Sequence, residues 1–416
     1  MKNWLIMEQN EFKSRRQKLI DIIGISGMAI LPATLSQNFY YVTGFPESNA
    51  VVVLIPQREQ GQYILFCHTN NNQAEIYSTY EVDDVFSITE LDDIIPGLLE
   101  TCQRLYYPLG YDSNFDNKVI RWINQLKTQI HSSVPNQLLA LDHILHEMRL
   151  YKTEAETDAM RAASQALVQV CKRAMQFCRP NLYEYELEAE IVHELIRNGC
   201  SYPPYPIVVA GGKNTNRLDY SKNNEVLNNN ELVLVDVGVK LDYYTATITR
   251  TFPVNGFFTK PQKLIYELVL KAQQASINKI YPGNSWIEPH KAATEIITQE
   301  LIQLDLLIGK FNTLIEEEAY KRFYPQQTCY WLGMDVRDCG NYKIDEVWRN
   351  LEPNMVMTVE SRINILPSED IAEEWWNIGI CIKDNILITS TGHEVLTIDL
   401  PKASAEIENF MAILNS

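Results

Sequence analysis

Three observations predict an α/β amino-terminal domain followed by an α+β domain. Helical and strand-like patterns alternate through residues 1–147, whereas beyond that point they fall into groups: long helices, strand pairs, two more helices, then strands. A chain of 416 residues, 46% hydrophobic and 21% charged, also has the material for two or three separate cores.

In chain order, EFKSRRQKLIDIIG has helical periodicity, and AILPAT, FYYVTGF, NAVVVLIP and QYILFCHT have strand character. LDDIIPGLLETCQRL, interrupted by Pro96, and NKVIRWINQLKTQI are helical. The second domain, residues 148–416, opens on a long amphipathic helix from YKTEAETDAM, where Thr153 and Glu156 have capping-box spacing, to a stop before Pro180. A second helix, YEYELEAEIVHELIRNG, ends at Gly199. ELVLVDVGVK and YYTATITRTFPVNG read as a strand pair, helices follow around Gln262–Ile280 and Glu288–Leu306, and MVMTVESRI and NIGICIKDNILIT read as closing strands.

The net charge of −17, with no block of Lys or Arg, argues against nucleic-acid or anionic-membrane partners. Apolar runs such as AVVVLIP are far too short to span a bilayer, and the first residues lack a secretory pattern, so a cytoplasmic protein is expected. Eight cysteines without CxxC pairs read as buried free thiols.

Three strands place an ionisable group among apolar neighbours: Asp236 in LVLVDVG, Glu360 in VMTVESR and Lys383 in GICIKDN. Unpartnered, each would cost several kcal/mol, so a mutually neutralising cluster is one reading and strand-end surface charge the other. Neither requires chemistry.

At these residues the chain resembles the aminopeptidase P and Xaa-Pro dipeptidase family. HEMRLYKTEAE, LVLVDVG, TITRTFPVNGFFT, WLGMDV, LEPNMVMTVE and NIGICIKD follow one another as that family's landmarks do, and QNFYYVTGFPESNAVVVLIP resembles its amino-terminal domain. The resemblance covers nearly the whole chain. It implies an aminopeptidase-P-like amino-terminal domain over 1–147 and a pita-bread, creatinase/aminopeptidase-like domain over 148–416. It also implies a dinuclear metal site built from two Asp, one His and two Glu, and a homodimer or tetramer, of which a dimer is expected here.

The implied ligand set is matched at Asp236 and Glu360 only; the second Asp falls on Thr247, the His on Tyr330 and the second Glu on Lys383. Further family histidines fall on Asp219, Gln326 and Arg337. A resident ammonium repels a metal, and hydroxyls are poor substitutes for carboxylate and imidazole. The resemblance with these departures therefore leads us to expect no metal cofactor and no dinuclear Xaa-Pro aminopeptidase activity. The expected function is a pseudoenzyme that binds a small molecule, peptide or partner in its cleft.

The alternative is a metal-independent enzyme acting on a small amide or amino-acid-like substrate. In it Lys383, Tyr330, Asp219, Glu360 and Asp236 would supply acid–base chemistry, since a buried ammonium can titrate near neutrality. Arg337, Gln326, Thr247, Trp375 and Trp376 are the expected ligand-binding residues. Each has a plainer reading: Tyr330 as packed aromatic, Asp219 as turn or cap, Arg337 as solvated or ion-paired cation, Thr247 as ordinary strand residue, the tryptophans as loop anchors. Cys381, two residues before Lys383, reads as a buried structural thiol rather than a nucleophile.

Overall fold

A computed structural model describes residues 7–34, 36–68, 73–129, 133–200 and 203–412. The chain divides into two compact units, one over Ile6–Met148 and one from Arg149 onward.

In the amino-terminal unit the strands are β1 (Gly27–Pro32), β2 (Val51–Leu54), β3 (Tyr63–Cys67), β4 (Asp84–Ser87), β5 (Arg104–Tyr107) and β6 (Gln137–Ala140). They form one mixed sheet in the order β4-β3-β2-β1-β5-β6. Helices Gln9–Ile23, Leu91–Leu99 and Ser113–Lys127 follow the predicted pattern, the second carrying Pro96 inside it. β4, β5 and β6 have four residues each, too few to show periodicity against their flanking turns.

FYYVTGF is a correction: the segment forms a helix, Ser36–Thr43, not a strand. Its aromatic and β-branched residues favour extended backbone locally. Tertiary contacts override that preference, because the Arg15 and Arg16 guanidinium groups donate to the Tyr41 and Val42 carbonyls at 3.1 and 3.2 Å, serving acceptors that a helix end leaves open. Gly44, at φ +66°, ends the turn.

The second unit holds β7 (Val208–Gly211), β8 (Leu232–Leu241), β9 (Tyr244–Pro253), β10 (Cys329–Trp331), the short pair β11 (Lys343–Ile344) and β12 (Val347–Trp348), β13 (Val356–Ile365), β14 (Ile378–Ile388) and β15 (His393–Val395). The main sheet runs β10-β13-β14-β9-β8-β7, with β15 beside β14. Helix Glu154–Phe177 begins at the expected capping box, in which the Thr153 hydroxyl accepts from Glu156 N and the Glu156 carboxylate accepts from Thr153 N. It packs on β8 and β9, and helix Lys260–Ile277 packs on β13 and β14.

Strand periodicity sorts the sheet into two faces. Val233, Val235, Val237 and Val239 of β8, Ala246 and Ile248 of β9 and Ile378, Ile380 and Ile382 of β14 join the helices in one buried core. Each fully buried branched side chain there is worth about 1.5–3 kcal/mol. The opposite face carries Asp236, Thr247, Thr249, Glu360 and Lys383. A one-residue slip would drive those groups into the helix-packed core, so the apolar set on one face pins the polar set on the other. Among the described residues no helix is long and apolar enough to cross a membrane.

Candidate functional site

The ladder registers place four residues in one row across the sheet. Asp236 of β8 faces Thr249 of β9, Thr249 faces Lys383 of β14, and Lys383 faces Glu360 of β13. β9 intervenes between β8 and β14, which sets the two outer backbones about 9–10 Å apart. The four-methylene stem of lysine spans that gap, and Lys383 Nζ donates to Asp236 Oδ1 at 2.8 Å. The pair is largely dry, with side-chain exposures of 8% and 27% for Lys383 and Asp236.

A third member completes the pair. Tyr205 donates its hydroxyl to Asp236 Oδ1 at 2.8 Å, and its ring lies 5.6 Å from Lys383 Nζ. The Gly of LVDVG makes room for it: a Cβ on Gly238 would stand 2.6 Å from Tyr205 Cε1. Burial opposes the charge on Lys383, but the Asp236 carboxylate, the Tyr205 hydroxyl and Glu360 outweigh it and hold the ammonium well above the ordinary lysine range. Burial pushes the Tyr205 hydroxyl far up, helped by the negative charge of Asp236.

Glu360 has a different environment. It accepts from Gln326 Nε2 at 2.8 Å and from Cys381 Sγ at 3.5 Å, and no cation of the described residues lies within ion-pair distance of it. Tyr330 stacks under Arg337, whose guanidinium carbon is 4.6 Å from the ring centre. Burial and the negative charge of Glu360 raise the Tyr330 hydroxyl, and burial with Glu360 likewise raises the Cys381 thiol well beyond its usual range.

One cavity of about 380 Å³ joins these groups: Tyr205, Asp236, Thr247, Gln326, Tyr330, Arg337, Glu360, Arg362 and Lys383 all line it, with Leu218, Val336 and Thr358. Asp219 follows the lining residue Leu218 but turns to solvent. It is 88% exposed, its nearest charge is Arg217 at 4.0 Å, and it is not part of the lining. Trp375 is buried in the helix-packed core. Trp376 donates Nε1 to the Ile371 carbonyl at 2.8 Å and lines a second cavity with Gly212, Asn228 and Glu374.

Five lining residues were not among those expected from the sequence: Tyr205, Leu218, Val336, Thr358 and Arg362. Arg362 was legible, because it stands two residues after Glu360 on the same strand and so shares its face. Tyr205 was not, since only the fold brings PPYP against Gly238. The notion of a lysine titrating near neutrality also fails, because the carboxylates around Lys383 raise its pKa instead of lowering it.

The donor set does not fit a dinuclear Mn, Co or Zn centre. Asp236 is engaged by an ammonium and a phenol, Thr247 and Tyr330 present neutral hydroxyls, and among the described residues no group of three His, Cys, Asp or Glu is arranged to hold a metal.

Residues 158–390 match Metallopeptidase family M24, and residues 12–106 match the Aminopeptidase P, N-terminal domain. The Xaa-Pro aminopeptidase of Haemophilus influenzae is 38% identical over 384 residues, covering 90% of this chain and 87% of its own. The structure of Pseudomonas aeruginosa aminopeptidase PepP superposes with a TM-score of 0.95 at 41% identity, covering 99% of this chain and all of that one. Escherichia coli aminopeptidase P, at 33% identity and a TM-score of 0.93 over 99% of this chain and 100% of its own, has been solved as a variant in complex with substrate and, zinc-substituted, in complex with product.

These relatives overturn the expectation of a metal-independent pseudoenzyme. Proteins 33–41% identical over nearly the whole chain are named as aminopeptidases, within a family of metallopeptidases. The misfit is confined to three of the five ligand positions, Thr247, Tyr330 and Lys383, whereas the kinship extends over nearly the whole chain. Sequence, fold and the order of the motifs agree: the chain belongs to the aminopeptidase P family of M24 metallopeptidases.

Proposed function

We propose that this chain acts on peptides with proline in the second position, and that its cavity receives the peptide's amino-terminal end with the α-ammonium on Glu360. One observation carries the reading. Glu360 is a half-buried carboxylate on the cavity wall, held by one amide and one thiol; Lys383 stands opposite it on β14, but among the described residues no cation makes an ion-pair contact with it. A partly desolvated carboxylate of this kind gains from a ligand that brings a direct, charge-assisted donor. The solved complex of a relative with its substrate supports a peptide as the occupant.

Cleavage of the Xaa–Pro bond is the reaction that kinship supports. The residues present account for binding: Glu360 takes the ammonium, Lys383 and Tyr205 hold Asp236 rigid in the same row with β14 and β9 between it and Glu360, and the raised Tyr330 hydroxyl stays protonated as a donor to a peptide carbonyl.

Calorimetric titration with Ala-Pro-Ala tests the reading. Saturable binding is expected, weakened about tenfold or more by N-acetylation or by Glu360→Gln, the range for a charge-assisted hydrogen bond. Equal affinity for the acetylated peptide overturns it. Release of the first residue, followed with and without added Mn²⁺, tests cleavage separately, and its absence in both conditions withdraws the hydrolytic half.

A further inference from the structure

The peptide cavity continues past Arg362 into a second space. Alternate residues of β13 share one face. Thr358, Glu360 and Arg362 line the cavity described above, and the next two in the same alternation, Asn364 and, just past the strand's end, Leu366, line a smaller cavity of about 260 Å³. Leu218 lines both, and Arg362 donates Nε to Asn364 Oδ1 at 3.1 Å, so the two spaces adjoin.

The smaller cavity is walled by apolar side chains. Phe323, Pro325, Pro367 and Ile371 line it, together with Leu218 and Leu366, which stay 60% and 62% exposed. Arg322, its only charged lining residue among those described, is neutralised by Asp370 at 2.5 and 2.8 Å. Asn216 also lines this space. It is only 7% exposed, yet neither its amide nitrogen nor its carbonyl oxygen has a hydrogen-bond partner among the described residues. A buried donor and acceptor left open in this way are costly. The backbone on both sides of Asn216 is pinned. Arg362 Nη2 donates to the Thr215 and Arg217 carbonyls at 2.9 and 3.0 Å, and Gly379 N donates to Thr215 Oγ1 at 3.1 Å. A Cβ on Gly379 would stand 2.4 Å from the Thr215 backbone carbon, so the loop lies directly on β14. The amide is thus held in place with its donor and acceptor free.

Resting on the peptide reading above, we infer that this cavity is a subsite for an apolar side chain at the fourth or fifth residue of the peptide, and that Asn216 pairs with the peptide group beside it. A side-chain amide carries donor nitrogen and acceptor oxygen together, the complement of a backbone C=O and N–H. Strand geometry sets the position: Asn364 stands four residues beyond Glu360, about 13 Å along β13. An extended peptide with its ammonium on Glu360 brings its fourth or fifth residue to that point. At about 260 Å³ the space is smaller than a site for a whole small ligand and suits one side chain. The preferred class is therefore peptides longer than a tripeptide and apolar near the fifth residue.

Three ligands separate the outcomes in calorimetry: Ala-Pro-Ala amide, Ala-Pro-Ala-Leu-Leu amide and Ala-Pro-Ala-Asp-Asp amide. The Leu-Leu pentapeptide is expected to bind about tenfold or more tightly than the tripeptide, and the Asp-Asp pentapeptide no more tightly than the tripeptide. In Asn216→Ala and in Leu366→Asp the ratio between the Leu-Leu pentapeptide and the tripeptide should fall to about threefold or less. Equal affinity of the Leu-Leu pentapeptide and the tripeptide overturns the inference and leaves the peptide reading standing. An Asp-Asp pentapeptide as tight as the Leu-Leu one, or an advantage that survives both variants, also overturns it, whereas no binding of any of the three removes both readings. Asn216 gives up no hydrogen bond on truncation and Leu366 is exposed, so an unchanged thermal melt is expected for each.

Discussion

Lys383 shows how one side chain resets a site. Its ammonium lies 2.8 Å from Asp236 with little water between them, so truncation leaves a carboxylate whose remaining partner is the Tyr205 hydroxyl. Lys383→Met is expected to lower stability by about 3 kcal/mol at pH 7, the lower end of the range for breaking a buried pair because Asp236 keeps some exposure. The sign of the pH dependence follows from the raised pKa. A group bound more tightly to its proton when folded contributes fully below its unfolded value of about 10.4, and loses that contribution as pH rises through the folded value. Thermal melts of the two proteins should differ most at neutral pH and approach each other only at strongly alkaline pH. Matching melts at pH 7 would show that Lys383 adds nothing to the fold.

Strand β14 carries a second charge, on its other face. Asp384 accepts from Arg250 Nη2 at 2.6 Å, from Thr397 Oγ1 at 2.7 Å, from Lys402 Nζ at 2.9 Å and from Gln273 Nε2 at 3.0 Å. Consecutive residues of one strand point to opposite faces, so Lys383 serves the cavity while Asp384 ties β14 to β9 and to helix Lys260–Ile277. Burial alone would raise the Asp384 carboxyl, but Arg250 and Lys402 outweigh it and hold it well below the usual carboxylate range. Such a group stabilises fully above its unfolded value of about 3.9 and is lost as pH falls below it toward the folded value. Asp384→Asn is expected to cost about 3–5 kcal/mol at pH 7 by leaving Arg250 buried and unpaired, with a smaller deficit in acid. Denaturant melts at pH 7 and near pH 3 check it; a deficit that does not shrink in acid removes the electrostatic account.

At the scale of the whole molecule, eight cysteines stand as free thiols, seven of them buried. Desolvation pushes Cys67, Cys102 and Cys200 up to about 11 and Cys171, Cys178 and Cys339 up to about 12. The native protein is expected to leave nearly all thiols unlabelled by an aromatic disulfide reagent within minutes at pH 8, and to expose all eight in denaturant. Rapid labelling of several in the native state would show that the cores are open.

The fold class, the capping box at Thr153, the alternation that buries Val233 to Val239 and the order of the family's motifs were legible in the sequence, because periodicity and local hydrogen bonding are properties of neighbouring residues. Asp236, Glu360 and Lys383 could be marked there as ionisable groups in apolar strands. Their alignment in one row, the entry of Tyr205 over Gly238, the bracing of Arg362 by a loop nearly 150 residues away in sequence and the exclusion of Asp219 were decided only by the tertiary structure. Strand register and charge compensation join residues far apart in the chain. Whether an ammonium stays charged, or a carboxylate keeps room for a ligand, depends on which of those distant groups arrives beside it.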